Sequence, residues 1–189
     1  MKFSQQETIN IIQHRDNDSF YFPCSKRHIY SLGYIHCCLR ILIENNSKKL
    51  CRTYKDPILK SIIGNPLIID MDKLESNISS AQEQQTRKSL DFYFVINDGN
   101  GYLGVLGDLK LNKKSVLNPY KELEDKKNNS KLNANSFSIP INDKIYIVYP
   151  DFLMEELRSV LNRKNVEDPD IGNDFEFISL RDFIKDFFI

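Results

Sequence analysis

No stretch of this chain approaches the roughly 18 consecutive apolar residues that a membrane-spanning helix needs. The opening Met1-Lys2-Phe3-Ser4-Gln5-Gln6-Glu7 turns polar at once and lacks the apolar run of a signal peptide. The expectation is a cytoplasmic protein with no membrane partner. Cysteine occurs at 24, 37, 38 and 51, never as C-x-x-C, so a zinc ribbon has no support in the spacing. Buried free thiols are the default for such residues in a reducing compartment. Net charge is absent too, with 26 basic against 26 acidic residues. The distribution is nevertheless uneven: residues 1–60 carry 10 against 5, residues 61–149 carry 11 against 11, and residues 150–189 carry 5 against 10. A basic front and an acidic back either orient a polyanion or form two complementary solvated surfaces. Dense basic runs and internal repeats are both missing.

What is present is globular. A length of 189 residues, with 41% apolar and 28% charged residues, suits one compact domain with a real core and excludes a disordered tail or a coiled coil. Within it, 1–66 reads as an N-terminal helical region and 67–189 as an α/β core. Ser4-Gln5-Gln6-Glu7 fits a capping box for a short helix through Ile9, Ile11 and Ile12. From Ser25, apolar residues at Ile29, Leu32, Leu39 and Leu42–Ile43 predict a long helix up to Asn45-Asn46-Ser47, with His36 on its buried stripe. Leu67-Ile68-Ile69 reads as a short strand or the lead into the next helix, and Lys73 to Lys88 as a helix. Asp91 to Asn97 and Tyr102 to Leu111 are rich in strand formers and flank the turn Asp98-Gly99-Asn100-Gly101. A helix from Pro119 to about Lys127 and a loose surface loop from Asn128 to Ser138 are expected next. Lys144 to Tyr149 is a further strand. Asp151 can cap a helix with Phe152, Leu153, Leu157, Val160 and Leu161 on one face. Phe175 to Ile178 reads as a strand, and Ser179-Leu180-Arg181-Asp182 as the capping box of a last helix burying Phe183, Phe187 and Phe188. The expected fold class is α/β (α+β), a central mixed sheet with an antiparallel hairpin flanked by helices.

The hairpin carries the chemistry. Side chains alternate along a strand, so Asp108 and Lys110 share a face. An even-numbered loop at 98–101 puts Asp91 opposite Asp108 or Lys110, and all three then converge; a three-residue loop would break the convergence. Two carboxylates with Cβ atoms ~5 Å apart repel unless a cation lies between them. A lysine can neutralise one. A hard divalent ion such as Mg²⁺ can bind both, and the nearby ammonium can then stabilise charge on a phosphate. Asp108 and Lys110 interrupt an apolar strand, where polar groups are costly unless paired or ligated. The alternative is an ordinary ion pair on a strand edge. Lys113, Lys114, Lys121, Lys126, Lys127 and Lys131 either line a nucleic-acid groove or, with the interleaved Glu122, Glu124 and Asp125, form a solvated helix face.

Asp91 opening a strand, the glycine turn, Gly107-Asp108-Leu109-Lys110, then a helix and a further strand resemble the PD-(D/E)xK nuclease superfamily, the restriction-endonuclease-like fold. The resemblance runs from about Glu83 to Tyr149. It implies Asp91 and Asp108 as ligands of Mg²⁺ or Mn²⁺, with the Leu109 carbonyl as a third donor and Lys110 as the catalytic lysine. It implies a helix glutamate as well, with Glu83 the first candidate and Glu75 the second. Leu90 stands where the family name has proline, and no clear strand separates Lys88 from Asp91. The implied activity is that of a Mg-dependent deoxyribonuclease, with nucleic acid, DNA first, as partner and Lys113, Lys114 and Lys121 as phosphate contacts. A non-catalytic immunity or adaptor protein on the same fold is the competing expectation, and a nuclease active only as a homodimer or inside a complex would reconcile the two.

Overall fold

The computed structural model describes residues 2–14, 36–39, 42–43, 66–81, 84–111, 122–153, 155–160 and 174–189. They build a mixed α/β fold around one sheet. The elements are β1 (Lys2–Phe3), α1 (Gln5–His14), β2 (His36–Cys38), β3 (Leu67–Asp70), α2 (Met71–Ala81), β4 (Phe92–Asn97), β5 (Tyr102–Leu109), α3 (Leu123–Asn135), β6 (Ile145–Tyr149), β7 (Phe175–Ser179) and α4 (Leu180–Phe188). The sheet runs β2-β3-β4-β5-β6-β7, and β1 pairs with the far end of β4. Pairing is antiparallel from β2 through β5 and parallel from β5 through β7. The parallel step from β5 to β6 needs a crossover, and α3 lies within it. Both β1 and β2 belong to the first 66 residues, so that region contributes to the same sheet.

Each sheet face buries its own core. On one face, Phe92, Phe94, Val105, Leu109, Tyr146 and Val148 meet Phe183, Phe187 and Phe188 of α4. Ring centroids of Phe92 and Phe183 stand 5.4 Å apart, and those of Phe94 and Phe187 5.6 Å apart. Each such ring contributes roughly 1.5–3 kcal/mol by leaving water. Ser179 caps α4 as its sequence indicates, its hydroxyl accepting from the Asp182 amide at 3.1 Å. On the other face, Tyr93, Val95, Leu106, Ile145 and Ile147 are covered by Ile11 of α1, Leu74 of α2, and Leu123 and Ala134 of α3. This second face carries the site.

Four expectations need correction. The long helix from Ser25 fails at His36–Cys38, which is a strand hydrogen-bonded to β3 with Cys37 opposite Ile68. Histidine and cysteine are weak helix formers, so pairing with a neighbouring strand overrides a helical stripe there. Leu39, Leu42 and Ile43 are helical and buried, while 25–35 lies outside the described residues. The helix expected to reach Lys88 ends at Ala81. Beyond it the backbone turns back, with the Gln84 amide donating to the Ser79 carbonyl and the Arg87 amide to the Glu75 carboxylate. The surface loop expected at 128–138 is instead helical as far as Asn135. Its polar side chains are used in tertiary hydrogen bonds, so it shows no apolar stripe. Last, the segment from Asp151 starts as a 3₁₀ turn through Leu153, and Phe152 is exposed while Leu153, Leu157 and Val160 are buried.

Candidate metal centre

The turn between β4 and β5 is a four-residue loop. Asn97 faces Tyr102, and the Asp98 amide donates to the Gly101 carbonyl at 3.2 Å. The Asp98 carboxylate then accepts from the amides of Asn100 and Gly101 at 2.8 and 3.0 Å. Gly99 has φ of 95°, a conformation that a side chain would strain. With an even loop, Phe92 pairs with Gly107 as the last pair of the ladder, and Asp91 sits just beyond it. The Asp91 amide donates to the Gly107 carbonyl at 3.0 Å, one step off that register, which holds the residue at the mouth of β4. Asp91 lies close enough to Asp108 for their charges to act on each other, Asp108 is paired with Lys110, and all three are buried: 8%, 1% and 9% exposed.

Their charges are tightly linked. Asp108 Oδ2 lies 2.5 Å from Lys110 Nζ, and Oδ1 lies 2.7 Å from Lys126 Nζ, which descends from α3. The Lys126 contact is an aligned hydrogen bond. The Lys110 contact is close but misaligned, and it leaves Asp108 Oδ2 buried without a hydrogen-bond donor. Asp91 Oδ2 accepts from the Leu109 amide at 2.6 Å. Burial raises the Asp91 carboxyl well above the ordinary carboxylate range, and the neighbouring Asp108 raises it further, against the pull of Lys126 and the Leu109 amide. Burial draws the Lys126 ammonium down, but the charges of Asp108 and Asp91 outweigh it, and the group is pushed up to about 12. Asp72 of α2 also acts on this group of charges. Its carboxyl, hydrogen-bonded by Ser89 Oγ at 2.6 Å, is raised by loss of solvent.

Asp72 and Lys126 complete the site. Asp72 carries no signal in the sequence, and Lys126 belongs to the lysine run that reads equally as a nucleic-acid groove or a solvated helix face; only the position of α3 over the sheet brings it to Asp108. Of the remaining candidates, Leu109 contributes its amide to Asp91. Glu75 is buried on α2, but both its oxygens are engaged elsewhere, Oε1 by Ser79 Oγ and the Arg87 amide and Oε2 by Asn133 Nδ2. Glu83, Lys113, Lys114 and Lys121 lie outside the described residues.

A hard cation takes oxygen ligands, and Mg²⁺ commonly uses one or two carboxylates with water completing the shell. The neighbouring Asp91 and Asp108 carboxylates provide that donor set, and the buried Asp108 Oδ2 lacks an aligned donor. Among the described residues no three His, Cys, Asp or Glu side chains gather into a ligand cluster, so water and main-chain oxygen would have to supply the rest. On that basis the residues fit a Mg²⁺-like ion and not a zinc-like one. Beside the site, residues 84–88 and α3 line a polar cavity of about 580 Å³ that includes Arg87, Lys88, Asn128 and Asn129. Among the described residues no helix is long and apolar enough to cross a membrane.

Comparison of the chain with family models, with curated proteins and with solved structures found no match in any of the three.

Proposed function

We propose that this protein is a metal-dependent nuclease of the PD-(D/E)xK type that hydrolyses phosphodiester bonds of nucleic acid, DNA first, in the cytoplasm. The observation carrying this reading is the closeness of two buried carboxylates, Asp91 and Asp108, with Lys110 paired to Asp108. Burying two acids close together is costly for structure alone, and a catalytic cation is a reason to keep both. Mg²⁺ or Mn²⁺ held by these carboxylates would supply Lewis acidity toward a phosphate oxygen and lower the pKa of water.

The chain's own groups do the rest. The Lys110 ammonium, set on a rigid strand beside Asp108, stabilises negative charge as water attacks phosphorus and the ester oxygen leaves. The Leu109 amide fixes the Asp91 carboxylate. Arg87 and the Asn128 carboxamide, in the polar cavity that Asp125 also lines, offer phosphate and base-edge contacts, while Lys88 there is paired with Glu122. The topology fits this reading as well: an antiparallel β4–β5 hairpin, then α3, then β6 parallel to β5.

A second reading is favoured by one observation: Asp108 already has two lysine partners, as expected of a non-catalytic protein-binding relative whose acid is structural. A nicking assay separates the two. Supercoiled plasmid and labelled single strands are incubated with the protein in Mg²⁺, Mn²⁺ or chelator. The nuclease reading expects cleavage only with metal, and a loss of about 10²–10³-fold in Lys110→Ala. Cleavage unchanged by that substitution would remove Lys110 from the mechanism. Absence of cleavage and of metal affinity would favour the binding protein.

A further inference from the structure

We infer that Lys126 is a built-in counter-cation of the Asp91–Asp108 pair and competes with a divalent metal for it. The inference rests on the metal-site reading above and adds a residue that this reading does not require.

Two neighbouring carboxylates taken out of water need positive charge nearby. Lys110 provides one charge from the same strand as Asp108, and its place is fixed by the pleat. Lys126 provides the second from a different element, reaching Asp108 Oδ1 at 2.7 Å. Its helix is anchored so that the ammonium is delivered to this spot. Ser130 Oγ accepts from the Leu90 amide at 2.8 Å, and Asn129 Nδ2 donates to the Lys88 carbonyl at 3.0 Å, one and three residues before Asp91. With Asp91 and Asp108 ionised, the two lysines balance that pair, and the nearby Asp72 carboxyl, hydrogen-bonded by Ser89 Oγ, adds to the acidic side. A dication entering still meets two ammonium groups, which oppose it. Withdrawing one ammonium leaves a net negative pair, which is what a hard cation binds.

Lysine suits this role because its charge sits on a flexible four-carbon stem that can swing away without moving the helix. Lys126 thus keeps the acidic pair neutral while no metal is bound, and sets how much metal is needed to displace it.

The test is calorimetric titration of Mn²⁺ into the full chain at neutral pH, for wild type, Lys126→Met and Lys126→Gln, with melting temperatures taken in chelator. The expected result is Mn²⁺ binding ~10–100-fold tighter in both variants, a lower melting temperature than wild type in chelator, and a larger rise with Mn²⁺. Lys126→Arg, which keeps the charge, restores the weaker wild-type affinity. Lys126→Gln keeps the stem and a hydrogen-bond donor, so its result stands should Lys126→Met not fold. Mn²⁺ binding in both neutral variants no tighter than in wild type overturns the role of Lys126 and leaves the metal site intact. No Mn²⁺ heat in any protein overturns both.

Discussion

Asp91 bears the clearest electrostatic burden of any single side chain. It is buried, it lies close to Asp108, and its one hydrogen bond from the Leu109 amide does not offset the two. A carboxyl whose folded-state pKa is raised favours folding below its unfolded pKa of about 3.9, and that contribution is lost as pH rises through the raised value. Asn at this position keeps an oxygen for Leu109 and never ionises. Asp91→Asn should therefore melt above wild type at neutral pH in chelator, with the gap closing as the solution is acidified toward pH ~3. A variant less stable than wild type at neutral pH would show that the Asp91 charge is compensated more fully than its surroundings indicate. Lys110 and Asp108 were readable from alternation along one strand, because period two is a property of the backbone. Lys126 was not, since its partner lies eighteen positions away and no local period links a helix surface to a strand it happens to cover.

Among the elements, α3 shows how far a sequence can understate a helix. Asn128 to Asn135 offers no apolar stripe and reads as a loop, yet the segment is helical because its polar groups find buried partners. Ser130 is fully buried and accepts from the Leu90 amide, and Asn133 Nδ2 donates to the Glu75 carboxylate. Ser130→Ala strands the Leu90 N–H next to the site. It should cost about 1–3 kcal/mol, read as a fall in denaturation midpoint with the unfolding slope unchanged. No loss would mean that the apolar contacts of α3 and its other hydrogen bonds hold it without the Ser130–Leu90 bond. The hairpin was legible for the opposite reason: a glycine-rich turn separates two runs of strand formers, while its four-residue length, which sets the register, came only with the fold. Strand β2 was misread because three residues hold no period, and only pairing with β3 decides their state. The α4 helix, with its Ser179 cap and phenylalanine stripe, needed no tertiary information at all.

For the whole molecule, the site occupies the point where the sheet changes from antiparallel to parallel pairing. β5 is the strand that does both, and Asp108 pairs with Ile147 of β6 while lying close to Asp91 just before β4. Two covered faces make the sheet rigid, which suits a site whose groups must stay within tenths of an ångström. The fold class was accessible from the order of elements; what α3 lays over the acidic pair was not. Whether the pair serves catalysis is tested most directly by metal-dependent cleavage of plasmid and single-stranded substrates by wild type and by Asp108→Asn. The nuclease account expects Mg²⁺- or Mn²⁺-dependent cleavage by wild type, reduced at least ~10²-fold in a variant that still folds. Wild-type protein that binds neither metal and cleaves nothing, or an Asp108→Asn variant that cleaves as fast as wild type, would contradict it.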